Sequence, residues 1–194
     1  MIWNNPIIGQ YVTLKYARIE DASAVLSIRQ DASLTKFLPR LDITVEQQEE
    51  WLRKQQDRDG DYYFIVWRND EAIGTIRVYD IVGNEGETGS IAIRGSIIEK
   101  MEAKLLLDTF IYESLKLERI HNIVRIDNSP IIKFSELFGV KWNGTAIDRN
   151  GYLCLTGYNT KERSREYRLK IAESLYLNDD PSSKHAACEV VFFR

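Results

Sequence analysis

The chain has 194 residues, 44% hydrophobic and 28% charged, which suits one soluble domain with a large core and room for a C-terminal appendage. A formal net charge of −3 gives no footing for nucleic acid or an anionic membrane. Cys154 and Cys188 show no metal spacing and read as reduced thiols, with one surface disulfide as the rival reading. No apolar run reaches membrane-spanning length, and M-I-W-N-N-P-I-I-G lacks the segments of a secretory signal, so a cytoplasmic protein is expected.

Gln10 to Tyr16 alternates Tyr11, Thr13 and Lys15 against Val12, Leu14 and Tyr16, the pattern of a half-buried strand. Glu20 and Asp21 put negative charge at a helix start, and Ala22, Val25, Leu26 and Arg29 then share one helical face. A guanidinium at Arg29 reads as a partner for a carbonyl or carboxylate before it reads as a substrate contact. Phe37-Leu38-Pro39 ends this region, and Thr44-Val45-Glu46-Gln47 has the form of a capping box opening a second helix. Asp59-Gly60-Asp61 is a turn. Tyr62 to Trp67 is apolar on both faces, as an interior strand is, and pairs in a hairpin with Ile73 to Ile81. Gly74 inside the second strand predicts close approach by another backbone or side chain.

Gly83-Asn84-Glu85-Gly86 breaks the chain before a strand from Glu87 to Ile93. Gly95 and Ser96 open a loop, and Met101 to Leu117 forms a helix with a broad apolar face. Strand, loop and helix N-terminus make an anion-binding device, since the first amides lack partners and the dipole adds positive charge. Arg119 to Asp127 is a strand, and Asn128-Ser129-Pro130 starts a helix from Ile131 to Phe138 that stops at Gly139. Val140 to Ile147 and Tyr152 to Tyr158 are strands joined by a tight turn at Asn150-Gly151. Glu162 to Leu177 is an amphipathic helix whose Arg163, Arg165, Arg168 and Lys170 read as a solvated face. The tail from Asn178 starts polar and ends Val190-Val191-Phe192-Phe193; docking, a partner and disorder stay open for it. The order holds one β-α-β crossover, from Glu87 to Asp127. It predicts an α/β (α+β) fold with a single mixed, mostly antiparallel twisted sheet and helices on both faces.

This order resembles the GNAT acyltransferase superfamily over roughly residues 8 to 158. The nearest branch is that of the ribosomal-protein alanine N-acetyltransferases and amino-sugar acetyltransferases. I-I-G-Q-Y-V-T-L-K-Y-A-R-I-E-D-A is similar to that branch's opening strand and first helix, and D-E-A-I-G-T-I-R-V-Y-D-I to its third strand. E-T-G-S-I-A-I takes the place of its E-I-G-Y-W-I strand. V-R-I-D-N-S-P-I-I-K-F-S-E-L-F-G-V resembles the segment V-x-x-x-N-x-x-[SA]-x-x-x-x-E-K-x-G-F. The resemblance implies a GNAT-like acyltransferase domain over residues 1–158, with residues 159–194 a C-terminal helix and tail packed on it or extending from it.

It also implies acetyl-CoA as co-substrate, no metal, and pantetheine pairing along Glu87 to Ile93, at Ile91 and Ile93. Gly95, Ser96 and Lys100 would take the pyrophosphate, and Asn128 would contact pantetheine. The family loop is [QR]-x-x-G-x-[GA], whose glycines let amides close on phosphates. Here R-G-S-I-I-E-K-M-E has only Gly95, and Glu99 and Glu102 bring negative charge.

Acetyl transfer to an amine needs a neutral amine, stabilisation of the oxyanion and a proton for the departing thiolate. A free alkylamine is mostly protonated at neutral pH, so a base or a water chain is required. Glu87 is the choice, on the same strand face as Gly89, Ile91 and Ile93 and near where strands separate; an edge carboxylate pairing a surface cation is the rival. Asp80 and Glu85 follow it. The resemblance implies backbone amides of that strand as oxyanion donors. Where many relatives place a Tyr, seven residues after the Asn, this chain has Ser135, a hydrogen-bond donor to sulfur or a small residue for close packing. Arg29, Phe37 and Tyr79 would line the acceptor pocket and suit an acceptor with an anionic or planar part, a peptide N-terminus being the other option.

His121 reads as a surface or hydrogen-bonded structural residue, His185 supports nothing, and no Ser-His-Asp set, Walker loop or metal cluster is present. The expected function is acetyl-CoA-dependent N-acetylation of a primary amine of a small molecule, amino sugar or protein N-terminus, by direct attack in a ternary complex. Expected partners are acetyl-CoA and the amine acceptor, with no nucleic acid and no membrane, and a homodimer stays open. The competing expectation is a non-catalytic GNAT-like binding or scaffold protein whose CoA binding is lost or altered. A different acyl donor is a third.

Overall fold

Eight strands form one sheet: β1 (Ile7–Ile8), β2 (Thr13–Tyr16), β3 (Tyr62–Arg68), β4 (Glu71–Val82), β5 (Glu85–Ile93), β6 (Arg119–Arg125), β7 (Lys141–Ile147) and β8 (Leu153–Thr160). Their spatial order in this computed structural model, which describes residues 2–176, is β1-β2-β3-β4-β5-β6-β8-β7. The tail from Asn178, with His185 and Cys188, lies outside the described residues. Every neighbouring pair is antiparallel except β5 and β6. The helices are α1 (Ala22–Arg29), α2 (Ala32–Thr35), α3 (Val45–Gln56), α4 (Ile97–Thr109), α5 (Ser129–Leu137) and α6 (Lys161–Tyr176). The mixed, mostly antiparallel sheet matches the order read from the sequence. The two-residue β1 and four-residue α2 are too short to leave a periodicity.

Turn chemistry sets the hairpins. Asn69 and Gly83 take positive φ (52° and 61°) in two-residue turns closing β3–β4 and β4–β5, and Gly151 (φ 82°) closes β7–β8. Asp148 stiffens the last turn by accepting the amides of Asn150 and Tyr152, both at 2.9 Å. Gly74 is required as expected: a Cβ there would lie 2.6 Å from the Ala92 carbonyl and 2.8 Å from Ile93.

The sheet has a different cover on each face. α1 and α3 lay Ala22, Val25 and Leu52 on Tyr63 and Ile65. α4 lays Ala103, Leu106 and Leu107 on the opposite face, against Leu14, Phe64, Ile76 and Val78. α6 docks outside α4, where Ile171, Ala172 and Leu175 meet Leu105 and Phe138. Phe110 sits at the centre of an aromatic group, edge-on to Trp3, Tyr62 and Phe64 at 4.9–5.3 Å.

Helix α4 begins at Ile97, not Met101. Ser96 and Glu99 form a reciprocal capping box that starts the helix one turn early. After Thr109 the helix widens for one turn, with the Leu115 amide bonding the Phe110 carbonyl at 3.0 Å. The basic face expected on α6 is only partly solvated. Arg168 is fully buried, because its guanidinium crosses to Glu113 (2.6 Å) and Thr109 (3.4 Å) beneath the docked helix. Arg163 is half-buried and bonds the Gly139 carbonyl at 2.6 Å.

Glu102 has no exposed surface, although it follows the loop closely in sequence. Its carboxylate turns away from the loop and accepts the amides of Gln10, Tyr11 and Val12, each at 2.7 Å, and the Tyr176 hydroxyl at 2.6 Å. Gly9 leaves room for it, since a Cβ there would fall 2.5 Å from the carboxylate. One buried charge thus ties the first strands to α4 and α6. Glu102→Ala strands three buried or half-buried amides and is expected to cost about 3–5 kcal/mol, against about 1–2 kcal/mol for Tyr176→Phe. Urea denaturation of both variants checks the order; an equal loss would show that the amides, not the phenol, find other partners.

Candidate active site

The parallel pairing of β5 with β6 covers three residue pairs, Glu85 with Arg119, Gly86 with Ile120 and Glu87 with His121. Beyond Glu87 the strands part. Thr88 and Asn122, the first residues past the fork, are buried and joined only by side chains, Thr88 Oγ1 to Asn122 Oδ1 at 3.2 Å. The Asn84 carbonyl in the preceding turn fixes the closed end, accepting the amides of Glu118 (2.7 Å) and Arg119 (3.3 Å).

Glu87 lies at the fork, opposite Tyr79 in the β4–β5 register, and accepts a hydrogen bond from the Tyr79 hydroxyl. Burial pushes the Glu87 carboxyl above the ordinary range; the Tyr79 hydrogen bond pulls it back and nearby Asp80 raises it further. Burial and the neighbouring carboxylate hold the Tyr79 hydroxyl protonated as a donor. The Tyr79 ring is fixed in turn by the Arg77 guanidinium, 4.7 Å from its centroid. Arg77 is clamped by a buried bidentate pairing with Asp61, the Nε bond being 2.7 Å. The order Asp61, Arg77, Tyr79, Glu87 is a rigid support ending on the carboxylate.

Two irregularities aim this group. The register shifts between Thr75 and Arg77 and again between Tyr79 and Val82, and Ser90 and Asp80 take left-handed φ of 53° and 51°. The bulge at Ser90 changes the expected alternation. Gly89 stays on the Glu87 side, where a Cβ would meet the Tyr79 ring at 3.0 Å. Ile93 is buried in the core on the α4 side with Ile91 packed against it. Ile91 and Ile93 therefore do not share a face with Glu87, and what they offer an extended ligand is backbone.

An open cleft of about 790 Å³ lies on the Glu87 face of β5, β6 and β8. Asp80, Glu85, Glu87, His121, Asn143 and Tyr158 are among its lining residues. Of the expected site residues, Glu87 and the two carboxylates ranked after it, Asp80 and Glu85, line it. Glu85 is held below the ordinary carboxylate range by the His121 hydrogen bond (2.7 Å) and Arg119 (3.3 Å). His121 is the exposed, hydrogen-bonded residue expected of it.

The remaining expected residues are dispersed. Arg29 donates to the Pro39 carbonyl at 3.4 Å, a carbonyl contact of the kind its position suggested, while its Nε is buried without a partner. Phe37 lies 5.4 Å from the Arg125 guanidinium, which also covers Tyr152 at 3.7 Å and pairs with Asp127. Asn128 stands at the start of α5, but its side chain makes no capping bond; the helix is started by Pro in its first turn instead. Ser135 is the one buried residue of α5.

At the α4 N-terminus, Gly95 takes φ 114°, Ser96 caps the helix and the Lys100 amide bonds the Ser96 carbonyl at 3.2 Å. The Glu99 carboxylate folds back into this turn. It accepts the Ser96 amide at 2.6 Å, the Ser96 hydroxyl at 2.9 Å and Arg68 at 3.1 Å. Burial opposes its ionisation, but these donors outweigh burial and hold Glu99 below the ordinary range.

Sequence reading missed Asn122, Thr88 and the Asp61–Arg77 clamp. Asn122 carried a signal, a polar residue at a buried position of an alternating strand. Asp61 and Arg77 carried none, being sixteen residues apart and joined only by strand pairing. Among the described residues no metal-capable cluster forms, and no helix is long and apolar enough to cross a membrane. Cys154 is buried and free, and burial raises its thiol.

Several solved structures share this architecture. An apo nucleotide-linked sugar GNAT, FdhC, superposes with a TM-score of 0.75 at 22% identity, covering 89% of this chain and 99% of that one. A GCN5-related N-acetyltransferase from Brucella melitensis gives 0.73 at 19%, covering 93% and 88%. Spermidine N-acetyltransferase from Vibrio cholerae, in complex with CoA and spermine, gives 0.69 at 14%, covering 80% and 99%. At these identities the likeness is one of fold. Comparison with curated proteins finds no match. The sequence itself matches the Acetyltransferase (GNAT) domain over residues 12–141, more than half of its length, and the chain belongs to the GNAT acetyltransferase family.

Proposed function

We propose that the chain is an acetyl-CoA-dependent N-acetyltransferase acting on a primary amine of a small molecule, an amino sugar or a protein N-terminus by direct attack in a ternary complex. The observation that carries this reading is a supported, half-buried carboxylate, Glu87, at the fork between β5 and β6 of an acetyltransferase fold. Acetyl-CoA supplies an acetyl group activated as a thioester. The fork suits an extended pantetheine arm, because β5 past Glu87 has no ladder partner on its β6 side. Ile91 and Ile93 anchor that stretch to the core, and the uncapped Asn128 side chain is free to bond the arm. The diphosphate end does not fit as the molecule stands, since the Glu99 carboxylate fills the turn at Gly95 and Ser96, with Lys100 beside it.

Glu87 takes the proton of the incoming amine. Its raised affinity for protons suits a base working nearer neutrality than a free carboxylate, and Tyr79 keeps it from rotating away. Backbone amides of β5 supply fixed donors for developing negative charge. The Ser135 hydroxyl is assigned to the departing sulfur as a hydrogen-bond donor. Arg29 and Phe37 are assigned to the acceptor side, with Tyr79 acting through Glu87. The carboxylates of the cleft favour a cationic amine.

Acetyl-CoA at millimolar concentration is expected to raise the melting temperature, and an amine panel to release free CoA thiol. No shift and no thiol would leave the non-catalytic reading standing. Glu87→Gln is expected to lower kcat about a hundredfold or more with KM for the donor nearly unchanged; equal loss in both removes Glu87 from the base role. The Tyr79 bond lowers the Glu87 pKa, so Tyr79→Phe raises it, and the acid limb of the pH–rate profile moves to higher pH. For stability the sign is opposite to that of a paired carboxylate. A folded pKa above the unfolded one penalises the ionised form, and this cost sets in as pH rises through the unfolded pKa and is full above the folded pKa. Glu87→Gln is therefore expected to melt higher than the parent at about pH 8, with the gap closing at about pH 4.

A further inference from the structure

Helix α4 begins at Ile97, after a three-residue turn that follows β5 on the open side of the fork, and its N-terminus is where the helix dipole and free amides offer a seat to a diphosphate. That seat is partly taken from within. Glu99 is 7% exposed, and its carboxylate holds the Ser96 amide and hydroxyl and the Arg68 guanidinium. It lies so close over Gly95 that a Cβ on that residue would fall 2.5 Å from Glu99 Oε2. Two of the surrounding cations are drawn off as well. Arg68 also pairs with Glu71 at 2.6 Å, and Arg94 faces Asp31 at 3.6 Å. A bound diphosphate would have to displace Glu99 or sit against its charge.

We propose that Glu99 is the donor-specificity residue of this enzyme, an internal carboxylate that stands in for the diphosphate and leaves the thioester arm to carry donor binding. The proposal rests on the acetyl-CoA reading of the preceding subsection. Its consequence is selectivity: the chain discriminates little between acetyl-CoA and acetyl-pantetheine, which has the same thioester arm and no diphosphate. Donors bearing the arm on another anchor fit the same fork.

Titration calorimetry of the parent, Glu99→Gln and Glu99→Ala with acetyl-CoA and with acetyl-pantetheine tests this. Gln at this position retains the capping box, so Glu99→Gln keeps the helix start while removing the charge; circular dichroism melts confirm that both variants are folded. The parent is expected to bind the two donors within about threefold of each other. Glu99→Ala is expected to tighten acetyl-CoA about tenfold or more, the worth of one charge-assisted hydrogen bond regained, and Glu99→Gln to tighten it less. Acetyl-pantetheine is expected to stay within about twofold throughout. A parent that already prefers acetyl-CoA strongly, with no gain in either folded variant, overturns the role of Glu99 and leaves the donor reading intact. Binding of neither donor by any of the three proteins overturns both.

Discussion

The sheet is antiparallel everywhere except between β5 and β6, and that parallel pairing lasts three residues. A parallel neighbour cannot be reached by a hairpin, so the chain must cross over through a helix, and α4 is that crossover. The requirement puts a helix N-terminus at the exit of β5 and a gap between two strands that twist apart. It also places the core of α4 under the strands that precede the fork and the docking surface for α6 on its outer side. The carboxylate at the fork, the cleft beside it and the turn at Gly95 are all consequences of one short parallel ladder.

Around that fork the molecule handles backbone donors and charges with its own acidic side chains. Asp61 neutralises Arg77, which would otherwise be a nearly buried lone cation beneath Tyr79. Asp31 caps α2 and faces Arg94, so the short helix is tied to the end of β5. Glu99 closes the first turn of α4. Such pairs fix geometry more than they add stability, since desolvation offsets much of their attraction. What they secure here is direction: the Glu87 carboxylate faces an open cleft, and the oxygens of Glu99 face inward.

Much of the architecture was legible because it rests on local rules. Gly74 announced a close backbone approach, Thr44 with Gln47 announced a helix start, and Asn150-Gly151 a tight turn; each depends on neighbours in sequence. The site was less legible because it depends on register. Strict alternation put Ile91 and Ile93 beside Glu87, and one extra residue at Ser90 turned them into the core. Ser96 and Glu99 had the spacing of a capping box, yet Glu99 was read by its charge alone. Arg168 looked like part of a solvated basic stripe, and only the docking of α6 on α4 shows its partner to be Glu113. The Glu87 and Tyr79 pair was named as two separate candidates. Their bond follows from cross-strand pairing over a hairpin, which no single strand pattern contains.

The nest around Glu102 has a consequence for how the fold comes apart. Its four donors come from residues 10–12 and from Tyr176, at opposite ends of the described chain, and meet on one carboxylate of α4. Amides held this way become exchangeable only when the carboxylate is released, so the loop before β2 opens together with the end of α6 rather than fraying by itself. The two ends of the domain thus behave as one cooperative unit. Shortening α6 would be felt first as loosened amide protection twelve strands and helices away in sequence, at Gln10 to Val12.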